Sequence, residues 1–525
     1  MSTLARPGLQ GRPATTLPSG LVAPAVAVLL VLGGMAAGIV AGDAPIIAVA
    51  AAGALLLTVT MILRPDAATV ATIAILYSNA AVVAVRFHGV PVFVGASVPL
   101  LLVIPLARDL IFRRLPVVSP PMVQWMIVLL FIHVVSSLFS TNPVRAFDGV
   151  IVFAVEGFGL YFALINVVRS PEILRQVTWA LLAVGAVVGL LSVHQDLTNN
   201  YDDTYFGFAQ AADAAFGTGD TTLTGEVTQR RLAGPIGETN RFAQVMLMLV
   251  PLGIYRMIGE SSRSLRIAAG VMTVVITLGV VMTFSRGAAV GLGALLVSLA
   301  LLRLVRPHHL AALGVGLVLV FTTFPQYWQR VSTLEELTAL VGGDGGTSQV
   351  SGVILSRATE TLAAALAIVD HPIVGVGPDM FPIFYEEYAR EVGLLVHLGS
   401  TREAHNLYLG LGADLGLLGL GVFLLVAFLT LRLIVLARRM SLARGRPDLE
   451  RLTTPFALAL MTYSVTGMFL HLSFARFYWL ILALAGAAAV ITLRELSEDE
   501  PERERSRPMD GSVRRAGAVG SGQDA

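Results

Sequence analysis

Long apolar runs, separated by short connections that carry arginine, dominate the chain. Crossing a bilayer takes about 20 predominantly apolar residues. Fourteen runs read as spans, near 21–41, 44–63, 67–85, 90–107, 121–139, 148–167, 174–193, 240–258, 267–283, 287–303, 308–324, 404–431, 453–471 and 475–493. The pattern predicts an all-α fold, a polytopic transmembrane helical bundle of about 12–14 spans.

Arginine in the connections sets the orientation, because cytoplasmic loops carry the excess of cations. With the N-terminus inside, the inner connections hold Arg64, then Arg108, Arg113 and Arg114, then Arg169 and Arg175, then Arg256, Arg263 and Arg266, then Arg303 and Arg306. Arg432, Arg438, Arg439, Arg444, Arg446 and Arg451 follow the twelfth run, whereas the short outer connections hold only Arg86, Arg145, Arg286 and Arg476. Both termini are therefore expected in the cytoplasm. The first run follows Arg6 and Arg12 and is succeeded at once by another, which reads as an uncleaved anchor and not a signal peptide.

The resulting organisation has a disordered cytoplasmic N-terminus (1–20), N-terminal transmembrane helices (21–193) and an extracytoplasmic loop (194–239). Transmembrane helices with a Ser-Arg-Gly turn (240–324) lead to a large extracytoplasmic loop (325–403), C-terminal transmembrane helices (404–493) and a disordered cytoplasmic tail (494–525). The large loop has helical signals of its own. Ser332 with Glu335 forms a capping box that opens a short helix through about Val341, which the glycine-rich run at 342–346 breaks as a hinge. A second, amphipathic helix runs from about Ser356 to Val369 and ends at His371-Pro372; a third covers Pro382 to Glu391. Such a loop on a membrane reads as a lid or a substrate platform.

Composition narrows the class. Of 525 residues, 55% are hydrophobic and 14% are charged, where soluble domains carry about 25% charged residues. Mean hydropathy is +0.76. A soluble multidomain enzyme, a disordered protein and a disulfide-stapled secreted fold are excluded. Net charge is +1, so no nucleic-acid partner is expected. All 36 basic residues are Arg and none of the residues is Cys. Every fixed cation is thus a guanidinium, suited to bidentate binding of phosphate or carboxylate, and thiol nucleophiles and Cys-held zinc are absent.

Ionisable groups at membrane depth are costly and mark candidate sites. Glu156, His133 and Asp414 lie inside spans. Arg286 sits in a tight turn, Thr283-Phe284-Ser285-Arg286-Gly287-Ala288, where it either snorkels to lipid phosphate or clamps a substrate phosphate. Gly287, Gly291 and Gly293 would let a backbone or ligand approach the following helix. His405 opens the twelfth span, where the helix dipole is expected to lower its pKa and favour a free base; a hydrogen-bonded interfacial histidine is the alternative. Arg357 by itself reads as a solvated face residue. His308-His309, Asp202-Asp203 and Glu386-Glu387 lack spaced partners, and no nucleotide signature is present, so neither a metal nor any other cofactor is expected.

Four segments, in order, resemble the bacterial O-antigen ligase and O-antigen polymerase family of membrane glycosyltransferases. Gly234-Pro235-Ile236-Gly237-Glu238-Thr239-Asn240-Arg241-Phe242-Ala243 is similar to the family's G-x-x-x-x-x-N-x-x-A start of a helix that ends in a Pro-Leu pair, here Pro251-Leu252. Ser285-Arg286-Gly287 is like S-R-G. His371-Pro372-Ile373-Val374-Gly375-Val376-Gly377 is like h-P-l-l-G-x-G, preceded by Arg357 at the usual distance. His405-Asn406-Leu407-Tyr408 through Gly416-Leu417-Leu418-Gly419 is like H-N-x-y…l-G-l-l-G. The resemblance covers roughly 230–480 and rests on the four together.

The resemblance implies a GT-C-like enzyme of the bacterial cytoplasmic membrane with its active site on the extracytoplasmic side. It would take a glycan from a polyprenyl diphosphate and pass it to an acceptor hydroxyl, on a lipid-linked glycan or lipid A–core in ligases and on another glycan in polymerases. Carried over residue by residue, Arg286 and Arg357 would stabilise the departing diphosphate, and His405 would be the general base of an inverting, metal-independent transfer. Arg241, Arg402 and Arg476 would be secondary phosphate or glycan contacts. Asn240 and Asn406 would be orienters, with helix capping as their alternative. Two other classes compete: a lipid-linked glycan flippase or other transporter, which would concentrate its charges near the midplane, and a structural membrane subunit.

Overall fold

The computed structural model describes residues 59, 63–211, 220–221, 227–229, 231–304, 352–392, 402–470 and 476–506. The expected spans 21–41, 44–63 and 308–324, the helix from Ser332, the hinge at 342–346 and most of both tails lie outside the described residues.

The fold is an all-α polytopic bundle. Among the described residues nine helices are long and apolar enough to cross a membrane, or ten if one bent pair counts as a span. The bent pair is α1 (Pro65–Tyr77) and α2 (Ala80–His88), set at 55°. There follow α3 (Val92–Phe112), α4 (Pro121–Phe139), α5 (Pro143–Val167), α6 (Pro171–Leu197), α7 (Thr239–Gly259), α8 (Arg263–Val281) and the shorter α9 (Arg286–Leu301). Two loop helices, α10 (Gly352–Asp370) and α11 (Phe381–Val392), precede α12 (Leu407–Ala443), α13 (Pro447–Thr466) and α14 (Arg476–Ser506). A helix stands at every expected span that falls on described residues. Proline at the first turn of α1, α4, α5, α6 and α13 starts them where its missing N–H costs nothing.

Two helix boundaries and one loop differ from expectation. α14 continues past 493 to Ser506, because Arg494 pairs with Glu498 at 2.8 Å and Asp499 with Arg446, so the polar end keeps helical partners. α12 begins at Leu407, not Ala404, with Asn406 as its cap. The loop before α7 carries two small hairpins, β1 (Gln210–Ala211) with β4 (Leu232–Gly234) and β2 (Asp220–Thr221) with β3 (Val227–Gln229), which no alternation had announced.

Helices in lipid gain little from apolar contact alone, so close backbone approach matters. Gly185 and Gly189 on α6 face Leu249 and Met246 of α7, and Gly253 on α7 faces Thr273 of α8. Gly287 and Gly291, the candidate ligand approach on α9, instead meet Phe469, and Thr466 with Leu247. They serve helix packing. Of these three, only Gly293 has no atom of the described residues within reach of an added Cβ.

Two glycine motifs join to fix the loop helices to the bundle. α12 is broken at Gly416, whose φ of 66° and ψ of −175° interrupt its ladder. The stretch 371–378 docks into the break. Val376 N donates to Ala413 O at 2.9 Å, Gly377 N to Asp414 O at 3.0 Å, and Leu417 N to Pro372 O at 2.8 Å. Ser136 of α4 donates to Val374 O and Asp414 O, and the Asp414 carboxylate accepts from Phe381 N at 2.9 Å, holding the start of α11. A Cβ at Gly416 would lie 2.2 Å from Ile373 O, and one at Gly375 would lie 2.3 Å from the Asp414 backbone. Gly416→Ala is therefore expected to lower stability by at least about 2 kcal/mol, through strain and overpacking. Gly293→Ala should stay within about 0.5 kcal/mol, as a substitution with nothing to clash against. Thermal unfolding of both purified variants checks the contrast, and equal shifts would contradict the docking.

Candidate functional site

Three turns and one loop helix meet at one end of the bundle. The first turn joins α8 to α9. Thr283 donates to Val280 O, Phe284 takes a left-handed φ of 53°, and Ser285 caps α9 by accepting from Ala288 N. Arg286 is thereby fixed as the first residue of α9. Arg231, in the segment that leads to β4, braces this turn: its guanidinium donates to Thr283 O at 2.8 Å and to Asn240 Oδ1 at 3.2 Å. Asn240 thus receives a guanidinium at the start of α7 and caps no helix.

The second turn precedes α7. Arg241 is only 1% exposed and donates to Glu238 at 2.9 Å, so it reaches the site through Glu238. The third turn precedes α12. Asn406 accepts from Tyr408 N and Leu409 N, the expected capping alternative, and its amide donates to Met468 O at 3.2 Å. His405 lies just outside the helix in a left-handed φ of 41°.

α10 carries Arg357 and Glu360 into this group. Glu360 is 1% exposed, and its carboxylate lies 2.9 Å from His405 Nδ1 and 3.9 Å from Arg402. The charges of Arg286, Glu360 and Glu238 all act on Arg357. Arg357 is half-buried, not a solvated face residue. Burial first, then the like charge of Arg286, press its guanidinium below its ordinary value, against the pull of the two glutamates. Holding two guanidinium groups close costs electrostatic energy that an anion between them would recover.

The electrostatics of His405 correct the helix-dipole expectation. Burial is the largest influence and lowers its pKa, but the Glu360 hydrogen bond and charge, aided by Glu238, outweigh burial and Arg357. The net direction is up from 6.5. A carboxylate at 2.9 Å acts at contact distance, whereas the dipole belongs to a helix that starts two residues later.

Arg476 joins a different group. It pairs with Glu156 of α5 at 3.3 Å, donates to Asn79 at the α1–α2 bend and lies 5.5 Å from the centre of the Phe477 ring. His133 stacks on Phe153 at 4.1 Å and hydrogen-bonds Leu129 O. The opposite end of the bundle has its own ion pairs, Arg175 and Arg256 with Glu260, and Arg438 with Glu450. Among the described residues no three His, Asp or Glu side chains are grouped to hold a metal ion.

Residues 271–424 match the family model described as O-antigen ligase. The match supports the resemblance to the O-antigen ligase and O-antigen polymerase family over that segment. Arg286, Arg357, Glu360, Arg402 and His405 lie inside the O-antigen ligase segment, and the Glu238–Arg241 pair and Arg476 lie outside it. No curated protein matches the chain. Together with the apolar helices, the match supports a multi-pass membrane protein with a glycosyltransferase-like function in polysaccharide biosynthesis.

Glu360, Glu238 and Arg231 were not singled out from the sequence. Glu360 follows Arg357 by three positions on the same amphipathic helix, a spacing that puts them on one face. Glu238 lies within the quoted motif. Arg231 had no signal, because it reaches its partners only through the fold of the β4 segment.

Proposed function

We propose that this protein acts as a member of the O-antigen ligase and polymerase family and transfers a glycan from a polyprenyl diphosphate carrier to an acceptor hydroxyl at the outer face of the bacterial cytoplasmic membrane. Both termini then lie in the cytoplasm. The observation that carries this reading is the convergence of Arg286, Arg357 and His405 from three separate segments. Departure of a polyprenyl diphosphate builds negative charge on the oxygen that bridged to the sugar. Preorganised guanidinium groups stabilise that charge without reorganising. His405 accepts the proton of the acceptor hydroxyl as its oxygen attacks the anomeric carbon, which inverts. Arg402 is assigned to a secondary phosphate or glycan contact, Arg476 to its ion pair with Glu156, and Asn240, Arg241 and Asn406 to holding the turns that present the site.

The test is purified protein given a polyprenyl-diphosphate oligosaccharide and candidate acceptors. Lengthening glycan ladders mark a polymerase and a single transfer marks a ligase. No product with any acceptor would overturn the transferase reading in favour of a lipid-linked glycan flippase. A chelator should leave the rate unchanged, since the arginines stand in for a metal. Loss of activity in EDTA that Mg²⁺ restores would contradict that assignment.

A further inference from the structure

His405 Nδ1 faces two oxygens, the Glu360 carboxylate at 2.9 Å and the backbone carbonyl of Glu403 at 3.3 Å. A backbone carbonyl and a carboxylate are both acceptors, so the nitrogen between them is the donor. That fixes the tautomer: Nδ1 carries the hydrogen and Nε2 is the basic nitrogen. Glu360 is itself buried at 1% exposure, held also by Arg402 at 3.9 Å and under the charge of Arg357. A carboxylate placed there is costly to bury unless paired.

We infer that Glu360 is the positioning residue of His405, holding its proton on Nδ1 and aiming Nε2 at the acceptor hydroxyl. This rests on the glycan-transfer reading above. In the step, the acceptor oxygen bonds to the anomeric carbon as the bond from that carbon to the diphosphate oxygen breaks. The hydroxyl proton goes to Nε2 and the electron pair leaves on polyprenyl diphosphate. The imidazolium so formed stays paired with the Glu360 carboxylate through Nδ1–H, and solvent then takes the Nε2 proton. The proton on Nδ1 is not passed on to Glu360 in this step. The logic is that of an acid that orients a histidine base, here built from a loop helix and a turn.

Among the described residues, the charged groups that act on His405 are Glu360 and Arg357 of α10, Glu238 before α7, and, through Glu360, Arg402 of its own segment; Tyr385 of α11 also faces Glu360. The base must be neutral to work, so the rate falls as pH drops through the imidazole pKa. In the native protein that acid limb stands above the ordinary histidine range. In Glu360→Gln the largest raising influence is gone while burial and Arg357 remain, so the limb moves to lower pH. At the plateau the glutamine variant is expected to lose about 10²-fold in kcat, with acceptor KM within about threefold. Glu360→Asp restores the charge and should return the limb toward that of the native protein.

The experiment uses the full chain in nanodiscs, with a polyprenyl-diphosphate oligosaccharide as donor, and measures the pH–rate profiles of the three forms. It also follows ¹⁵N-labelled histidine, the His405 signal being assigned by its loss in His405→Ala. An Nδ1–H tautomer and a raised pKa in the native protein, both altered in Glu360→Gln, support the pairing whether or not glycan transfer occurs. An unshifted acid limb together with an unshifted titration overturns it, even if the rate falls. Absence of transfer by the native protein overturns the functional reading and the kinetic role with it, while the titration still decides the pairing.

Discussion

Replacing His405 by alanine is expected to lower glycan transfer by about 10²–10⁴-fold, the range for loss of one general base. The drop should appear in kcat at saturating donor, because the imidazole acts on the hydroxyl proton and not on the diphosphate. His405 lies outside α12, so its removal leaves the helix cap at Asn406 intact. Alanine does remove one partner of the buried Glu360, at a cost of about 1–3 kcal/mol. His405→Gln is the matching variant: it keeps a hydrogen-bond donor for Glu360 yet has no base. Both should be inactive, and the glutamine form should melt closer to the native protein. Near-normal transfer by either removes the general-base role.

Arg357→Ala and Arg286→Ala are each expected to cost about 10²–10³-fold in kcat/KM for the polyprenyl-diphosphate donor, as for loss of a single oxyanion-stabilising donor. Their charges act on each other, so they share one task. The double variant should then lose much less than the product of the two single losses, because residues that act as a unit are non-additive. Lysine at either position keeps the charge but loses the two-pronged geometry, which predicts intermediate rates. Steady-state kinetics on donor concentration decide the matter. If the losses multiply, the two arginines act at separate places and the clamp is wrong.

Much of the bundle is legible in the sequence. Apolar length is a local property, so helices stand at the spans from 67–85 to 287–303 and from 404–431 to 475–493, although those at 404–431 and 475–493 run on to Ala443 and Ser506. The loop helices were legible for the same reason: proline at 372 and the apolar spacing of Leu362, Leu366 and Val369 bracket α10. The hairpins before α7 were not, since strands of two or three residues leave no periodicity to read.

At the site, sequence by itself determined which residues are candidates: Arg286, Arg357 and His405, from motif order and from the cost of charge near a membrane. Tertiary structure decided how they are used. The pairing of Glu360 with His405 spans 45 positions in the chain, and no local pattern encodes it. It reverses the expected direction of the histidine pKa because a contact-distance carboxylate outweighs burial. Packing also decided that Arg241 is buried against Glu238, that Arg476 joins Glu156, and that the glycines at 375 and 416 serve backbone docking. Hydropathy and turns act over a few residues, so the chain displays them directly. Ion pairing and desolvation depend on what lies within a few ångströms in space, and only the folded bundle sets that.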